Sequence, residues 1–330
     1  MDILYFNSIQ VVVFVATFVM TLIAGPFLIP VLRRLKFGQT VRDDGPSSHL
    51  KKTGTPTMGG LIFLLPVFLV SIYFFRSYPQ ILALAFVTIG FGAIGFIDDF
   101  IKVVKKRKDG LYANQKMVGL LVIAAAFSFY IVQFTDIGTE IMIPFLGLDV
   151  TFNLAWLFVP FTVFVLIATT NAVNLTDGLD GLAAGVTLIV MVFFTLVAMT
   201  RGEWDYIKLF SSAVAGGCLG FLAFNSYPAK VFMGDTGSLA LGGAVGAIAI
   251  MMRMPLIIVI VGAVYVIETL SVMIQVGSFK LRGKRVFKMA PIHHHFEMIG
   301  WKETKVVTVF YTATVIFCII GLLALRFRFY

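Results

Sequence analysis

Three short stretches place carboxylates at the ends of long apolar segments, where ionisable groups are costly and mark functional sites. They are Gly95-Phe96-Ile97-Asp98-Asp99, the run from Asn171 to Gly181 that holds Asn174, Asp177 and Asp180, and Phe232-Met233-Gly234-Asp235-Thr236-Gly237-Ser238. Glu268 alone lies well inside a span. Mg²⁺ takes one or two carboxylates together with substrate phosphates. Separated carboxylates without accompanying thiolates therefore suit Mg²⁺ and phosphate chemistry.

Asp98 and Asp99 diverge by about 100° on a helix, so one faces a metal or acts as a base while a partner holds the other. Lys102 stands at i,i+4 from Asp98, and the competing reading is an interfacial acid pair neutralised by following lysines. Asn171, Asn174 and Asp177 share one polar side of a helix, whereas Asp180 would fall opposite Asn171. Gly178 and Gly181 weaken the helix, so a break or tight turn is expected to return Asp180 to the group. Such amides and carboxylates suit sugar, nucleotide or cation contacts; a cap-rich turn between helices is the plainer alternative. Asp235 is either an N-cap or a Mg²⁺ ligand, with Ser238 and free N–H groups cradling a phosphate.

Other polar features are less specific. Gly90, Gly92 and Gly95 fit G-x-G-x-x-G, but inside a lipid-length helix they read as close helix packing and not nucleotide binding. His293-His294-His295 lacks the spacing usual for zinc, which leaves hydrogen bonding to phosphate or uridine, or proton shuttling. Lys52 and Thr57 belong to a turn before a helix and would stand at the mouth beside the acids. Glu268 and Gln275 are the remaining buried polar residues, explained equally by interhelical hydrogen bonds.

The elements that must position these groups are membrane helices. The 330 residues are 59% hydrophobic and 13% charged, which excludes an ordinary soluble domain. Apolar runs of about 20 residues cross a bilayer. Ten are expected: Ser8–Leu32, Met58–Phe75, Gln80–Ile97, Met117–Phe134, Phe152–Leu175, Leu179–Met199, Leu209–Phe224, Asp235–Met252, Leu256–Phe279 and Val306–Leu325. The first lacks a basic n-region and cleavage site and reads as a retained helix. Cys218 and Cys318 lie within spans and form no disulfide or zinc pattern. The fold class is thus an all-α integral membrane protein, with residues 1–330 as one polytopic domain.

The net charge of +9 is concentrated in alternate loops. Arg33, Arg34, Lys36, Arg42, Lys51 and Lys52 occupy the first, and Lys102, Lys105, Lys106, Arg107, Lys108 and Lys116 the third. Lys280, Arg282, Lys284, Arg285, Lys288, Lys302 and Lys305 occupy the ninth, while Asp136, Glu140 and Asp149 share a loop without bases. The positive-inside rule makes loops of about 33–57, 98–116, 171–181, 225–238 and 280–305 cytoplasmic, with both termini outside. Every polar motif then faces the cytoplasm. The bases orient the chain and can attract anionic substrates or lipid head groups; no nucleic-acid partner is expected.

The order K-x-G-T-P-T-M-G-G, G-F-x-D-D, N-A-V-N-L-T-D-G-L-D-G, M-G-D-T-G-S and P-I-H-H-H-F-E, spread over the whole chain, resembles the bacterial phospho-N-acetylmuramoyl-pentapeptide transferase family. The resemblance implies Mg²⁺-dependent transfer of phospho-MurNAc-pentapeptide from UDP to undecaprenyl phosphate, giving lipid I and UMP. It implies the first membrane step of peptidoglycan synthesis, in the bacterial inner membrane, by a homodimer. By motif, Asp98 and Asp99 match the acid pair, with Asp98 favoured as base for the lipid phosphate, and Asp235 matches the magnesium ligand, with Asp177 as a further metal candidate. Asn171, Asp177 and Asp180 match the nucleotide-side cluster, His294 and His295 the histidine site, and Lys52 and Thr57 the first-loop positions. Asn174, Ser238 and Gln275 complete the expected substrate-binding set. Direct attack by the lipid phosphate is favoured over a phospho-aspartate. A related enzyme using UDP-GlcNAc, and a cation-coupled transporter built on broken helices, are the alternatives.

Overall fold

The computed structural model describes residues 9–34, 52, 54–104, 110–146 and 150–325. Lys36, Arg42, Lys51, Lys105, Lys106, Arg107, Lys108 and Asp149 of the charge argument lie outside the described residues.

Among the described residues, eight helices are long and apolar enough to cross a membrane: α1 (Ile9–Arg34), α3 (Ile81–Val104), α4 (Ala113–Phe134), α5 (Phe158–Thr176), α7 (Asp205–Asn225), α8 (Gly234–Met251), α10 (Ala263–Arg282) and α12 (Glu303–Ala324). Two more apolar helices, α2 (Gly60–Phe74) and α6 (Leu182–Ala198), have 15 and 17 residues. At 1.5 Å per residue these reach roughly 23 and 26 Å, short of a hydrocarbon core about 30 Å thick. Each of the ten expected segments thus contains a helix, and eight meet the length criterion.

Two boundaries depart from expectation. The ninth segment is interrupted: α9 (Ile258–Val261) ends at Gly262, whose N–H returns to the Ile258 carbonyl, and α10 starts afresh. Glycine supports such a break because it pays little for leaving helical geometry. The fifth segment does not begin at Phe152. Instead β1 (Glu140–Met142) and β2 (Thr151–Asn153) pair antiparallel with Ile141 opposite Phe152, and α5 starts only at Phe158. The Met142 amide donates to the Arg253 carbonyl, which ties this hairpin to the end of α8. A short helix, α11 (Ile292–Met298), carries the three histidines.

Burial sorts the helices into a centre and a lipid-facing shell. The apolar windows of α8 and α7 are 89% and 78% buried, against 22–33% for α1, α4, α10 and α12. Close approach at the centre requires small residues: Gly216 rests on the Phe14 carbonyl, and Gly95 on the Asp235 carbonyl. Several buried hydroxyls are satisfied along their own helices: Thr21, Ser71 and Thr88 donate to carbonyls four residues back. α8 therefore stands as the fixed post against which α3 and α5 set their polar ends.

Candidate active site

The first loop reaches the site by pairing with the approach to α8. Gly59 and Gly60 donate to the Phe232 and Met233 carbonyls, and Phe232 donates to the Pro56 carbonyl. This brings Thr57 beside Gly234: a Cβ there would lie 2.7 Å from Thr57 Oγ1 and 2.5 Å from Asp99 Oδ2. Gly234 has φ +72°, so both its backbone and the crowding favour glycine.

Asp98, Asp99 and Asp235 converge, offering ligand oxygens within 4.8 Å of one another. Asp98 and Asp99 are buried and Asp235 half-buried. Each carboxylate has a separate anchor. Asp98 Oδ1 accepts the Leu111 amide at 2.8 Å. Asp99 Oδ2 accepts both the amide and the hydroxyl of Thr236, at 3.0 and 2.8 Å. Asp235 Oδ1 accepts Asn174 Nδ2 at 2.9 Å, and that same amide group donates to Ser238 Oγ at 2.8 Å. Adjacent aspartates thus diverge as helical spacing requires, yet both reach the same centre because α8 begins between them.

Two ammonium groups face these three acids. Lys102 Nζ lies 2.5 Å from Asp98 Oδ2, 3.3 Å from Asp235 Oδ2 and 3.9 Å from Asp99 Oδ1. Lys116 Nζ, from the start of α4, lies 2.7 Å from Asp235 Oδ2. Lys102 was legible as an i,i+4 neighbour; Lys116 was visible only as a loop base, because its partner stands 119 residues away.

A second polar group lies on the α5–α6 turn. The chain does turn after the two glycines, with Gly181 at φ +81°, and Asp180 meets Lys52, whereas Asn174 meets Asp235 and Ser238. Asp180 Oδ1 meets Lys52 Nζ at 2.7 Å, and Oδ2 accepts the Ala229 amide at 2.9 Å. Glu303, which sequence patterns did not mark, accepts Lys52 Nζ at 2.6 Å and the Asp180 amide at 2.8 Å. Burial would depress the Lys52 ammonium, but hydrogen bonds and charge from Asp180 and Glu303 raise it above its ordinary value. It stays charged. Asp177 stands outside the three-carboxylate cluster but within its field. Burial, then the charges of Asp235, Asp99 and Asp180, push its pKa well above the ordinary carboxylate range, although its side chain keeps some surface. A cleft of about 860 Å³ opens beside Lys52 and Asp180 and is lined also by Tyr227, Trp301, Lys302 and Glu303.

Other expected residues are occupied elsewhere. Asn171 Nδ2 donates to the Ile167 carbonyl of its own helix at 2.8 Å. Gln275 accepts the Val286 and Phe287 amides and donates to the Phe287 carbonyl, each at 2.9 Å, so it shapes the loop after α10. His295 Nδ1 accepts the Lys288 amide at 3.1 Å, which leaves the proton on Nε2. His294 Nδ1 and Glu297 Oε2 are 2.8 Å apart.

The histidine that meets the α5–α6 turn is His293. It is fully buried, with Nδ1 3.0 Å from Glu268 Oε2, although the pair is not aligned as a hydrogen bond. A Cβ on Gly178 would lie 2.1 Å from His293 Nε2. Gly178→Ala is therefore expected to displace α11 or the turn, slowing turnover about tenfold, since shifts well under 1 Å at a positioned group already reduce rate. Turnover of purified G178A at wild-type level would show that the contact gives way freely.

The sequence model of glycosyl transferase family 4 matches residues 81–253, and a signature of phospho-N-acetylmuramoyl-pentapeptide-transferase matches residues 52–64. The first match spans the Asp98–Asp99, Asn171–Gly181 and Asp235 motifs, and the second begins at Lys52. The chain is 70% identical to the phospho-N-acetylmuramoyl-pentapeptide-transferase of Acetivibrio thermocellus over 98% of its length and 97% of the relative's. It is 53% identical to that of Clostridium novyi, over 96% and 97% of the two chains, and 50% identical to that of Clostridium beijerinckii, over 98% of each. By these matches over nearly its whole length, the chain belongs to the phospho-N-acetylmuramoyl-pentapeptide-transferase family.

Proposed function

We propose that this protein transfers phospho-MurNAc-pentapeptide from its UDP conjugate to undecaprenyl phosphate, releasing UMP and forming lipid I at the cytoplasmic face of the bacterial inner membrane. The observation that carries the reading is the convergence of Asp98, Asp99 and Asp235 with Lys102 and Lys116 at the ends of membrane-length helices. A soluble nucleotide sugar and a lipid phosphate can meet only at such a boundary. Ten crossings, with the short α2 and α6 counted, put all five polar stretches on the side of the basic loops. The bilayer's lipids are its solvent, and the working assembly is a homodimer.

The donor set fits Mg²⁺: hard carboxylate oxygens close together, of the kind that ion takes alongside phosphate. Asp235 and a carboxylate beside it, with Asp177 within reach of the same field, would hold the ion. Bound there, Mg²⁺ would neutralise the diphosphate and the departing UMP. Cation charge there would also offset the burial and like charges that raise the Asp177 pKa.

The acceptor's phosphate oxygen attacks the phosphorus that carries the sugar. One P–O bond forms there, and the P–O bond to the bridging oxygen breaks, leaving that oxygen and its electron pair on UMP. Asp98 takes any proton the lipid phosphate still carries. Asp99, held by Thr236, keeps the end of α3 registered on α8. Lys102 and Lys116 receive negative charge as it moves onto the leaving group. Lys52, Thr57, Asn174, Asp180 and Ser238 hold the nucleotide sugar, and His294 and His295 border it on the cytoplasmic side.

The test uses purified protein in vesicles containing undecaprenyl phosphate, with UDP-MurNAc-pentapeptide and UDP-GlcNAc supplied separately. UMP and a lipid-linked product should form from the former with Mg²⁺ and cease on chelation with EDTA. Product from UDP-GlcNAc alone would assign a different surface polymer, and turnover unaffected by EDTA would remove the metal.

A further inference from the structure

Helix α12 packs mainly against α6 and contributes no residue to the expected site, yet two of its side chains reach the turn that carries Asp180. Glu303 and Tyr311 are eight residues apart, close to two helical turns, and so share a face. Glu303 is 9% exposed, and a single oxygen, Oε1, accepts from the Asp180 amide and from Lys52 Nζ. Tyr311 donates its hydroxyl to the Gly181 carbonyl at 2.7 Å. Its ring lies where Gly185 leaves room: a Cβ there would sit 2.2 Å from the hydroxyl oxygen. From the other side Asn225 accepts the Gly181 amide at 3.1 Å and donates to the Val231 carbonyl at 3.0 Å. The left-handed turn at Gly181 is thus fixed from outside at the Asp180 amide, the Gly181 amide and the Gly181 carbonyl.

We propose that Glu303 is a positioning residue for the nucleotide sugar: it holds Lys52 and Asp180 in one arrangement at the cleft, with Tyr311 securing the same turn. The inference rests on the transferase reading given above. Its physical basis is that Lys52 is shared between two carboxylates, from Glu303 and Asp180, and points into the cleft they line. With Glu303 neutral, the ammonium would be drawn to Asp180 alone, and the Asp180 amide would keep a weaker acceptor. Neither Glu303 nor Tyr311 contacts Asp98, Asp99 or Asp235 through a hydrogen bond or ion pair, so the lipid side of the reaction should not register the change.

The test compares wild type, Glu303→Gln and Tyr311→Phe in vesicles, with KM measured separately for the UDP-sugar and for undecaprenyl phosphate. Losing a charge-assisted contact should raise KM for the UDP-sugar about tenfold in E303Q, and the lost neutral hydrogen bond about threefold in Y311F. KM for undecaprenyl phosphate and kcat should stay within about twofold of wild type, because a residue acting only through uniform binding leaves kcat alone. A general loss of packing would instead lower kcat and active fraction for both substrates. A drop in kcat at unchanged UDP-sugar KM, or unchanged KM in both variants, would overturn the assignment. Should E303Q fail to fold, Y311F alone carries the same two outcomes. UMP titration of the purified proteins separates this inference from the transferase reading. If wild type makes no lipid product but E303Q binds UMP about tenfold more weakly, the transferase reading fails and Glu303 keeps its role; equal UMP affinity removes the role.

Discussion

Asp235→Asn is expected to lower UMP release by about 10²–10³-fold while leaving the protein folded, the magnitude typical of deleting one charged group aimed at transition-state charge. Asp235 is the point at which the centre's two halves join. Its Oδ1 holds Asn174 from α5, and its Oδ2 holds Lys116 from α4 and Lys102 from α3. Asparagine keeps an oxygen for Asn174 but turns an amide NH₂ toward two ammonium groups, which lose their shared counter-charge. It also removes a ligand any cation would use. The fold does not need this carboxylate, because α8 packs through backbone and small residues, as at Gly95 and Gly237. The counter-charge lost by Lys102 and Lys116 opposes the repulsion relieved among three crowded carboxylates; Lys102 keeps Asp98 and both ammonium groups keep some solvent, so the thermal midpoint should shift little. That pattern, activity lost with stability kept, is the signature of a strained functional group. Wild-type turnover in D235N, measured as UMP release in vesicles, would remove Asp235 from the reaction.

How much of this was readable beforehand depends on where each partner sits in the chain. Asp98, Asp99 and Asp235 could be placed together from sequence because hydropathy sets the helix ends and charge bias gave them an expected common side. The turn that carries Asp180 could be expected because Gly178 and Gly181 announce it, although its partners Lys52 and Glu303 could not. Glu303 could not be found this way: it meets Lys52 and Asp180 across 251 and 123 residues, and a lone acid at a helix start reads as a cap. The same holds for Glu268 and His293, where the acid was conspicuous but its partner was one of three identical neighbours. Gln275 and Asn171 present the reverse case. Their polarity in an apolar run was plain, but backbone carbonyls and amides nearby satisfy them. The break at Gly262 went unread because one glycine inside an apolar run leaves hydropathy unchanged. Three-residue strands at Glu140–Met142 and Thr151–Asn153 are too short for alternation to declare them.

Gly95→Ala should produce the opposite pairing of effects, with activity and stability lost together. The glycine lies one turn before Asp99 and faces the start of α8. A Cβ there would stand 2.1 Å from the Asp235 carbonyl oxygen and 2.7 Å from the Thr236 nitrogen. Both are backbone atoms of a buried helix, so no side chain can swing away and the helices themselves must separate. At Gly92, one turn earlier on the same face, even an added Cβ would stand only 3.2 Å from the Thr236 carbonyl, so there is little room to pivot. Overpacking of this kind costs about 1–3 kcal/mol. The separation acts directly on the chemistry, since it pulls Asp99 from the Thr236 amide and hydroxyl that hold it. A misplacement near 1 Å is worth about 10² in rate. UMP release should therefore fall about a hundredfold, with a thermal midpoint several degrees lower. Gly90→Ala supplies the contrast, because its added Cβ would meet the Cδ1 tip of Ile123 at 2.9 Å, a side-chain end that can rotate. That variant should keep most of its activity. Equal behaviour of the two alanine variants would mean that α3 and α8 can slide apart without consequence, and the three carboxylates would not need the spacing the glycines now give them.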